Sequence, residues 1–543
     1  MRPVPRRPDC VVIGFNETDF DTFARGQRQF AHVSGSYSEL KTNSVLIDGR
    51  RRTYMELLNM VLARATGRPW DLNAFGLPSL GVAYLVSYLR RRGADVEFVN
   101  FFNWGRERLV ELLSHRPRAV AITTTYYVSD DPIREVVDFV RQHDPAVRIV
   151  VGGPRIFNLC AANPGRRQDA ILRGIGGDVY IEDSQGEATL ARVLDTLRDG
   201  GDLGLVPNLI YVNESGSFSR TPRVPESNDL NAEAVDWDRF DTSFYAPTVY
   251  MRTARSCSFR CAFCNYPAMA GALTLSSIET VEREMRVLAA AGVRNVIFVD
   301  DTFNVPLPRF KQLCRMMIRN GFGFRWVSFL RCSNVDEQTF DLIAESGCIG
   351  VFLGIESGDA GILQAMNKSA TLDRYRRGIE ALRARGIMTL ASLIVGYPGE
   401  TERSVRNTIE FLQEHPTTFY NVQLYYHDVL APVESRRDEL GIERAGYAWS
   451  HQTMTWQEAA AWKDHMVTSI EGSALLPLYG LSIWALPYLL DNGLTVAQVV
   501  DFSREASRLV VRGLDDRPFD CSADLDRMAE PLRGVASSAG GRP

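Results

Sequence analysis

Short β-branched runs alternate with amphipathic helical stretches twice along this chain, once on each side of a segment rich in turn formers. Such alternation restricts a chain to parallel sheets with crossover helices. In the first third the strands read as CVVIGF (10–15), DVEFVNF (95–101), AVAITTTYY (119–127) and RIVVGG (148–153). GVAYLVSYLRRRG and PIREVVDFVRQHD supply helices with apolar spacing near 3.6. Gly93, after Arg90, Arg91 and Arg92, is placed to stop the first of them. A doubly wound sheet binds ligands beyond the carboxyl ends of its strands, so the tips at 14–16, 123–125 and 152–154 form a candidate ligand face.

From Val249 the alternation resumes, with strands at 295–301, 324–331, 348–358, 388–401 and 421–430 separated by helices such as SIETVEREMRVLAAAG and PRFKQLCRMMIRNG. About six βα units make a partial barrel, whose catalytic face lies at the carboxyl ends of its strands. Asp300, Asp301, Arg331, Glu356, Ser392 and Tyr397 fall there. The expected fold is therefore α/β: a doubly wound, Rossmann-like domain at 1–212, a partial (β/α)6 barrel at 246–430 and a mainly helical region at 431–543. An insertion at about 16–70 reads as polar and irregular up to Leu46, then helical in TYMELLNMVLARATG. Residues 213–245 read as a linker, because they lack apolar periodicity and are full of turn formers.

Cys257, Cys261 and Cys264 lie in one short loop, RTARSCSFRCAFCNYP. Thiolates are the usual ligands of iron–sulfur clusters, and three of them on a four-iron cluster leave one iron open for chemistry. Structural zinc is the competing reading, but it asks for four ligands. The chain has no other cysteine between Cys160 and Cys314 and no histidine between His143 and His415, so only a distant residue would complete a zinc site.

The formal net charge of −5 over 543 residues comes from interspersed charges, which argues against a polyanion-binding surface and hence against a nucleic-acid partner. Nine cysteines without an even framework suit a reduced, cytoplasmic protein. The apolar run in MRPVPRRPDCVVIGF is too short for a signal peptide. The apolar segment 473–490 is broken by Pro477, Gly480 and Pro487, so it reads as buried helices rather than a membrane span.

The C-x3-C-x2-C spacing with its Phe263 resembles the radical S-adenosylmethionine (SAM) signature. The order LPSLGVAYLVSYLRRRGADVEFVNF, AVAITTTYY, RIVVGGP and EDSQGEATLARVL, over roughly 72–200, resembles the cobalamin-binding domain fused ahead of many radical SAM enzymes. That resemblance implies a cobalamin laid over the strand ends, near Ser79, Leu80, Thr123, Gly152, Gly153 and Glu187. The D-x-H-x-x-G element that donates a histidine to cobalt in related domains has no counterpart here, since His32, His115 and His143 lack its context. The lower ligand of the cobalt stays open.

The run through DDTF, RCSNVDEQTFDLIAESGC, GIESG, ILQAMNK and IVGYPGET is very similar to the cobalamin-dependent radical SAM group. The similarity implies a [4Fe–4S] cluster on Cys257, Cys261 and Cys264, with SAM binding the open iron through its amino and carboxylate groups. Phe263 would lie near the adenine, Glu356 near the ribose and Asp300 or Asp301 near the amino group, with Ser392 among the cofactor-binding residues. A reduced cluster is a one-electron donor able to cleave the SAM sulfonium. The resulting 5'-deoxyadenosyl radical would activate a substrate, and methylcobalamin would deliver the methyl group. An electron donor such as a flavodoxin or ferredoxin is implied.

The whole-chain pattern, including VVIGFNETDF and LYYHDVLAPVESRRDELGI, is similar to the PhpK family of radical SAM P-methyltransferases. Membership implies methylation of the phosphorus of a phosphinate precursor in phosphinothricin-type tripeptide antibiotic biosynthesis. C-methylation of an unactivated carbon in another secondary metabolite or a peptide remains the alternative. A small phosphinate bearing carboxylates is anionic, and Arg331, Arg255, Arg436 and Arg437 are the cations available to it. His427 in LYYHDVL is a further candidate, open to either a site role or a satisfied core position. Trp449, Trp456, Trp462 and Trp484 are expected to build core rather than a ligand box.

Overall fold

The computed structural model describes residues 7–535. The chain divides into two compact units, one of Met1–Thr18, Phe75–Tyr245 and Ala268–Val287, the other of Asp19–Ala74, Ala246–Pro267 and Leu288–Pro543.

In the first unit the strands run in the order Val96–Phe101, Cys10–Phe15, Ala119–Thr123, Arg148–Gly152, Val179–Ile181, Leu209–Val212, Phe218–Arg220. The first five are parallel and the last two antiparallel. Cys10–Phe15 and Ala119–Thr123 are buried along their whole length, which is why they read as unbroken apolar runs. Helix Leu80–Arg91 starts at Ser79, whose hydroxyl accepts from the Val82 amide at 3.4 Å. Gly93 follows it at φ 84°, as expected.

The stretch 213–245, expected as linker, is instead held against this unit. Phe218–Arg220 extends the sheet, and Glu226 accepts from the amides of Ala188 and Thr189 at 2.9 and 2.7 Å, capping helix Glu187–Asp199 from outside it. Trp237 is buried and donates to Glu284 at 3.2 Å. Specific polar contacts and irregularly spaced buried residues, Leu230, Val235, Trp237 and Tyr245 among them, fix the segment, so no apolar period announces it.

The second unit is built on seven parallel strands in sequence order: Thr248–Met251, Asn295–Phe298, Arg325–Leu330, Cys348–Glu356, Met388–Val395, Phe419–Leu424 and Ala474–Leu475. The six expected strands are joined by a seventh, drawn from the apolar segment read as helices. The end of that segment forms the 3-10 turn Ile483–Ala485 and the short helix Leu486–Asp491. Its Asp491 accepts from Thr248 at 2.6 Å, Arg294 at 3.0 Å and Arg325 at 3.1 Å, tying together the amino ends of three strands. Among the described residues no helix is long and apolar enough to cross a membrane.

Residues 19–74, expected as an insertion of the first domain, belong to the second unit. The part expected to be irregular holds the helices Phe20–Gln29 and Ser36–Lys41, and Tyr54–Thr66 follows with a Thr53–Glu56 capping box. Glu39 accepts from the Leu424 amide at 2.7 Å and pairs with the fully buried Lys463, while the Gly35 amide donates to Tyr447 at 2.8 Å. These distant polar partners pin the segment up to about residue 41, while Tyr54–Thr66 buries Tyr54, Leu57, Leu58, Val61 and Leu62. The C-terminal region is helical over Trp456–Ser469, Val496–Arg512 and Ser522–Ala529; residues 536–543 of its expected span lie outside the described ones. Trp449 and Trp456 are core, as expected; Trp462 and Trp484 are half-buried.

Candidate active site

The cysteine loop follows the first strand of the second unit. Six of the nine cysteines are buried, and the exceptions are Cys257, Cys261 and Cys264. Burial pushes the thiols of Cys10, Cys160, Cys314 and Cys332 up to about 12, so they stay inert at neutral pH. Cys264 is pushed up to about 11, chiefly by burial, with added repulsion from Cys261, Asp301 and Cys257. Cys261 and Cys257 thus lie near enough to Cys264 to oppose its ionisation, a conflict that a cationic iron–sulfur core would relieve. Cys257 Sγ lies 3.3 Å from Thr302 Oγ1, and the Cys264 amide donates to the Cys261 carbonyl at 3.1 Å. Among the described residues no three His, Cys, Asp or Glu side chains converge as they would around a single ion. A cuboidal cluster asks for something different, one thiolate at each of three corners, and three partly exposed thiols on one loop fit that demand.

Around the loop stand the carboxyl ends of the barrel strands. Asp300 is buried and accepts from the amides of Thr253 at 2.7 Å and Ala254 at 3.0 Å and from the Thr253 hydroxyl, so its carboxylate holds the strand leading into the loop. Asp301 is open to solvent yet ringed by protein, and this crowding pushes its carboxyl up to about 6 against the pull of Tyr266 and Arg252. Of the two aspartates offered for the amino group, Asp301 is the one with an accessible carboxyl.

Glu356 ends its strand at φ 65°, a strained setting for a non-glycine residue. It forms a buried pair with Lys368 at 2.7 Å, and the Lys368 ammonium lies 5.6 Å from the Phe263 ring centre. A Cβ on Gly354 would meet Glu356 Oε1 at 2.5 Å and Lys368 Nζ at 2.9 Å, so that glycine leaves room for the pair. Lys368 lies in the quoted ILQAMNK run, but its pairing is visible only in three dimensions. Ser392 is buried between Asn421, to which it donates at 3.1 Å, and Gln423, from which it accepts at 3.0 Å. Tyr397 is buried and donates to the Ala365 carbonyl at 3.3 Å.

Arg331 is 8% exposed, stacks 3.5 Å over the Phe259 ring, and has no hydrogen-bond partner at Nε or Nη2. Arg255 is also buried, whereas Arg436 is half exposed and paired with Glu439 and Arg437 is tied to Glu434. His427 is fully enclosed between Tyr425 and Glu434.

In the first unit the strand tips gather hydroxyls around bare backbone. A Cβ on Gly81 would meet Thr125 Oγ1 at 3.2 Å, Thr123 Oγ1 at 3.6 Å and Ser79 Oγ at 3.8 Å. Gly153 has φ 108°, and a Cβ there would meet Thr124 Oγ1 at 3.1 Å. Thr123 pairs in register with Gly152, and the Thr124 amide and hydroxyl both donate to the Gly152 carbonyl at 2.9 Å. Ser79, Thr123, Gly152 and Gly153 are therefore brought to one set of tips, with Thr125 of the expected 123–125 tip beside them and Gly81 as a member the sequence reading missed. The Leu80 side chain is buried, and the Glu187 carboxylate is engaged by Asn228 at 2.7 Å. A cradle kept free of Cβ atoms and edged with hydroxyls suits the broad face and amide arms of a corrinoid.

Comparison with known proteins accords with both halves. The chain matches the radical SAM superfamily over residues 251–412 and the B12 binding domain over residues 74–167. It is 26% identical over 361 residues to an uncharacterized methyltransferase of Pyrococcus horikoshii, covering 62% of this chain and 73% of that protein. Among solved structures it is similar to the radical SAM methyltransferase TsrM of Kitasatospora setae with cobalamin and [4Fe–4S] cluster bound. The TM-score is 0.55 and the identity 21%, over 68% of this chain and 77% of that one. It is also similar to the cobalamin-dependent SAM radical enzyme OxsB with aqua-cobalamin bound, at TM-score 0.52 and 18% identity over 66% of this chain and 57% of that one. At these identities the structural likeness is one of fold.

Proposed function

We propose that this chain, a cobalamin-dependent radical SAM methyltransferase whose cofactors are a [4Fe–4S] cluster, SAM and cobalamin, methylates the phosphorus of a small anionic phosphinate, the step that phosphinothricin-type tripeptide assembly requires. When bound, these groups supply one-electron cleavage of SAM and a transferable methyl group. The protein's own residues bind, orient and exclude water. Cys257, Cys261 and Cys264 hold the cluster, Phe263, Glu356 and Lys368 line the place for SAM, and Ser79, Thr123, Gly152 and Gly153 edge the place for cobalamin.

The observation that carries the substrate reading is Arg331. A buried guanidinium with open donors at Nε and Nη2 is costly unless an oxyanion completes it. Its planar fork matches the paired oxygens of a phosphinate or a neighbouring carboxylate. An electron donor such as a flavodoxin or ferredoxin, in the cytoplasm, completes the reading. Steady-state kinetics with a desmethyl phosphinate test it. Arg331→Gln raises KM by roughly tenfold or more, as expected when a charged contact is lost, with a smaller change in kcat. An unchanged KM sinks the role given to Arg331. Formation of 5'-deoxyadenosine that responds only to carbon acids moves the methyl acceptor to carbon.

A further inference from the structure

His427 is open in the sequence to a site role or a satisfied core position, and in the fold its ring is walled in. Nδ1 accepts from the Tyr425 hydroxyl at 3.0 Å and Nε2 donates to Glu434 Oε2 at 2.7 Å. Its backbone is fixed as well, exchanging two hydrogen bonds of 2.9 Å with Gly446. The second oxygen of Glu434 accepts from Arg437 Nε at 2.7 Å, and Arg437 also donates to the carbonyls of Ile442 at 3.0 Å and Arg444 at 3.2 Å. Both carboxylate oxygens of Glu434 are thus taken by groups belonging to a rigid surround.

Glu434 sits in the short 3-10 turn Pro432–Arg436, next to Val433, whose side chain is buried. The Val433 amide donates at 2.8 Å to the carbonyl of Ala262, the residue following Cys261. From the other side, the Ala262 amide donates to the Met366 carbonyl at 2.8 Å, and Asn367 Nδ2 donates to the Arg260 carbonyl at 2.7 Å. The peptide units around Cys261 are therefore clamped between two segments, one following the strand Cys348–Glu356 and the other following Phe419–Leu424. The first clamp is part of the chain that turns into Lys368. The second hangs on a turn that Glu434 alone among its side chains ties to His427.

We propose that Glu434, gripped by His427 and Arg437, is a positioning residue that sets the geometry of the cluster loop through the Val433–Ala262 hydrogen bond. It touches neither cluster nor substrate. Its effect passes along the backbone to the spacing of Cys261 and Cys264, as hydrogen-bonded neighbours of metal ligands orient those ligands elsewhere. The inference rests on reading the cysteine loop as the cluster site.

The test compares anaerobically reconstituted wild type with Glu434→Ala, Glu434→Gln and Val433→Pro, using Glu439→Gln as control because Glu439 pairs with the half-exposed Arg436. The readouts are iron per chain, the EPR g-values of the reduced cluster and the rate of iron loss to a chelator, with thermal midpoints to confirm folding. Glu434→Ala takes up iron but shows shifted or heterogeneous g-values and loses iron at least tenfold faster. Val433→Pro does the same, since it deletes the donor to Ala262 and leaves the Glu434 side chain in place, with Val433→Ala as the control for the lost buried side chain. Glu434→Gln keeps its carbonyl as acceptor for Arg437 and turns its amide donor toward His427 Nε2, which accepts in the other tautomer, and so recovers most of the wild-type behaviour. If Glu434→Ala or a folded Val433→Pro keeps wild-type g-values and chelation rate, the proposal is wrong. If wild type takes up no iron at all, the cluster reading itself fails and the proposal falls with it.

Discussion

The strand ends of the two units are built from opposite materials, although both belong to parallel sheets with helices on their crossovers. In the first unit the tips carry hydroxyls and exposed backbone at Ser79, Gly81, Thr123, Gly152 and Gly153. In the second they carry thiols, carboxylates and cations at Cys257, Cys264, Asp301, Arg331, Glu356 and Lys368. On the proposed reading the first arrangement receives a large, finished cofactor by shape, so its key residues are those with little or no side chain. On the same reading the second controls charge around a reactive centre, so its key residues are thiols and ions, among them the buried Glu356–Lys368 pair and Arg331 with open donors.

Replacing any of Cys257, Cys261 or Cys264 by Ala breaks the second half of this contrast most completely. Iron content and visible absorbance of the reconstituted protein fall to background while cobalamin still binds; retained iron would mean that other ligands hold the metal. Next in size, Gly81→Val fills the hydroxyl-edged cradle. Cobalamin affinity drops by roughly tenfold, about 1.4 kcal/mol, as read by absorbance titration, and iron content stays unchanged. An undiminished affinity would place the corrinoid elsewhere.

Lys368→Met leaves Glu356 buried without its cation, which costs about 3 kcal/mol and appears as a lowered unfolding midpoint, while cobalamin affinity is unaffected. The smallest effect concerns Glu400, which is buried and accepts from the Gly396 amide. Burial pushes its carboxyl up to about 8 from an ordinary 4.5. The folded state thus favours the proton, so the stability Glu400 contributes is full below its unfolded pKa and is lost as pH rises through the folded value. Glu400→Gln should gain in thermal midpoint over wild type between pH 5 and 8, and a pH-independent difference would contradict the assignment.

How much of this was legible in the sequence depended on the range of the interactions. Strands such as CVVIGF and FRWVSFLR announce themselves because burial on both faces demands contiguous apolar residues. Val179–Ile181 and Ala474–Leu475 are too short to carry such a signal. The cysteine loop is readable because its ligands are neighbours in sequence. The destination of residues 19–74 is not, since its apolar helix Tyr54–Thr66 suits either unit and its polar partners Leu424, Tyr447 and Lys463 lie far along the chain. Asp300 illustrates the limit within the site. Its place at a strand end is plain from the sequence, but that its carboxylate is consumed by Thr253 and Ala254 is known only from the fold. His427 is similar: the residue stands out, and its partner Glu434 gives it a different task.

The central claim is that the methyl group lands on phosphorus, and phosphorus NMR of a turnover with methylcobalamin labelled with carbon-13 in its methyl group, SAM, reductant and a desmethyl phosphinate tests it most directly. The account predicts loss of the one-bond phosphorus–hydrogen splitting and a new product resonance split by one-bond coupling to carbon-13. A methylated product that keeps its phosphorus–hydrogen splitting, with the label on a carbon atom, would contradict it.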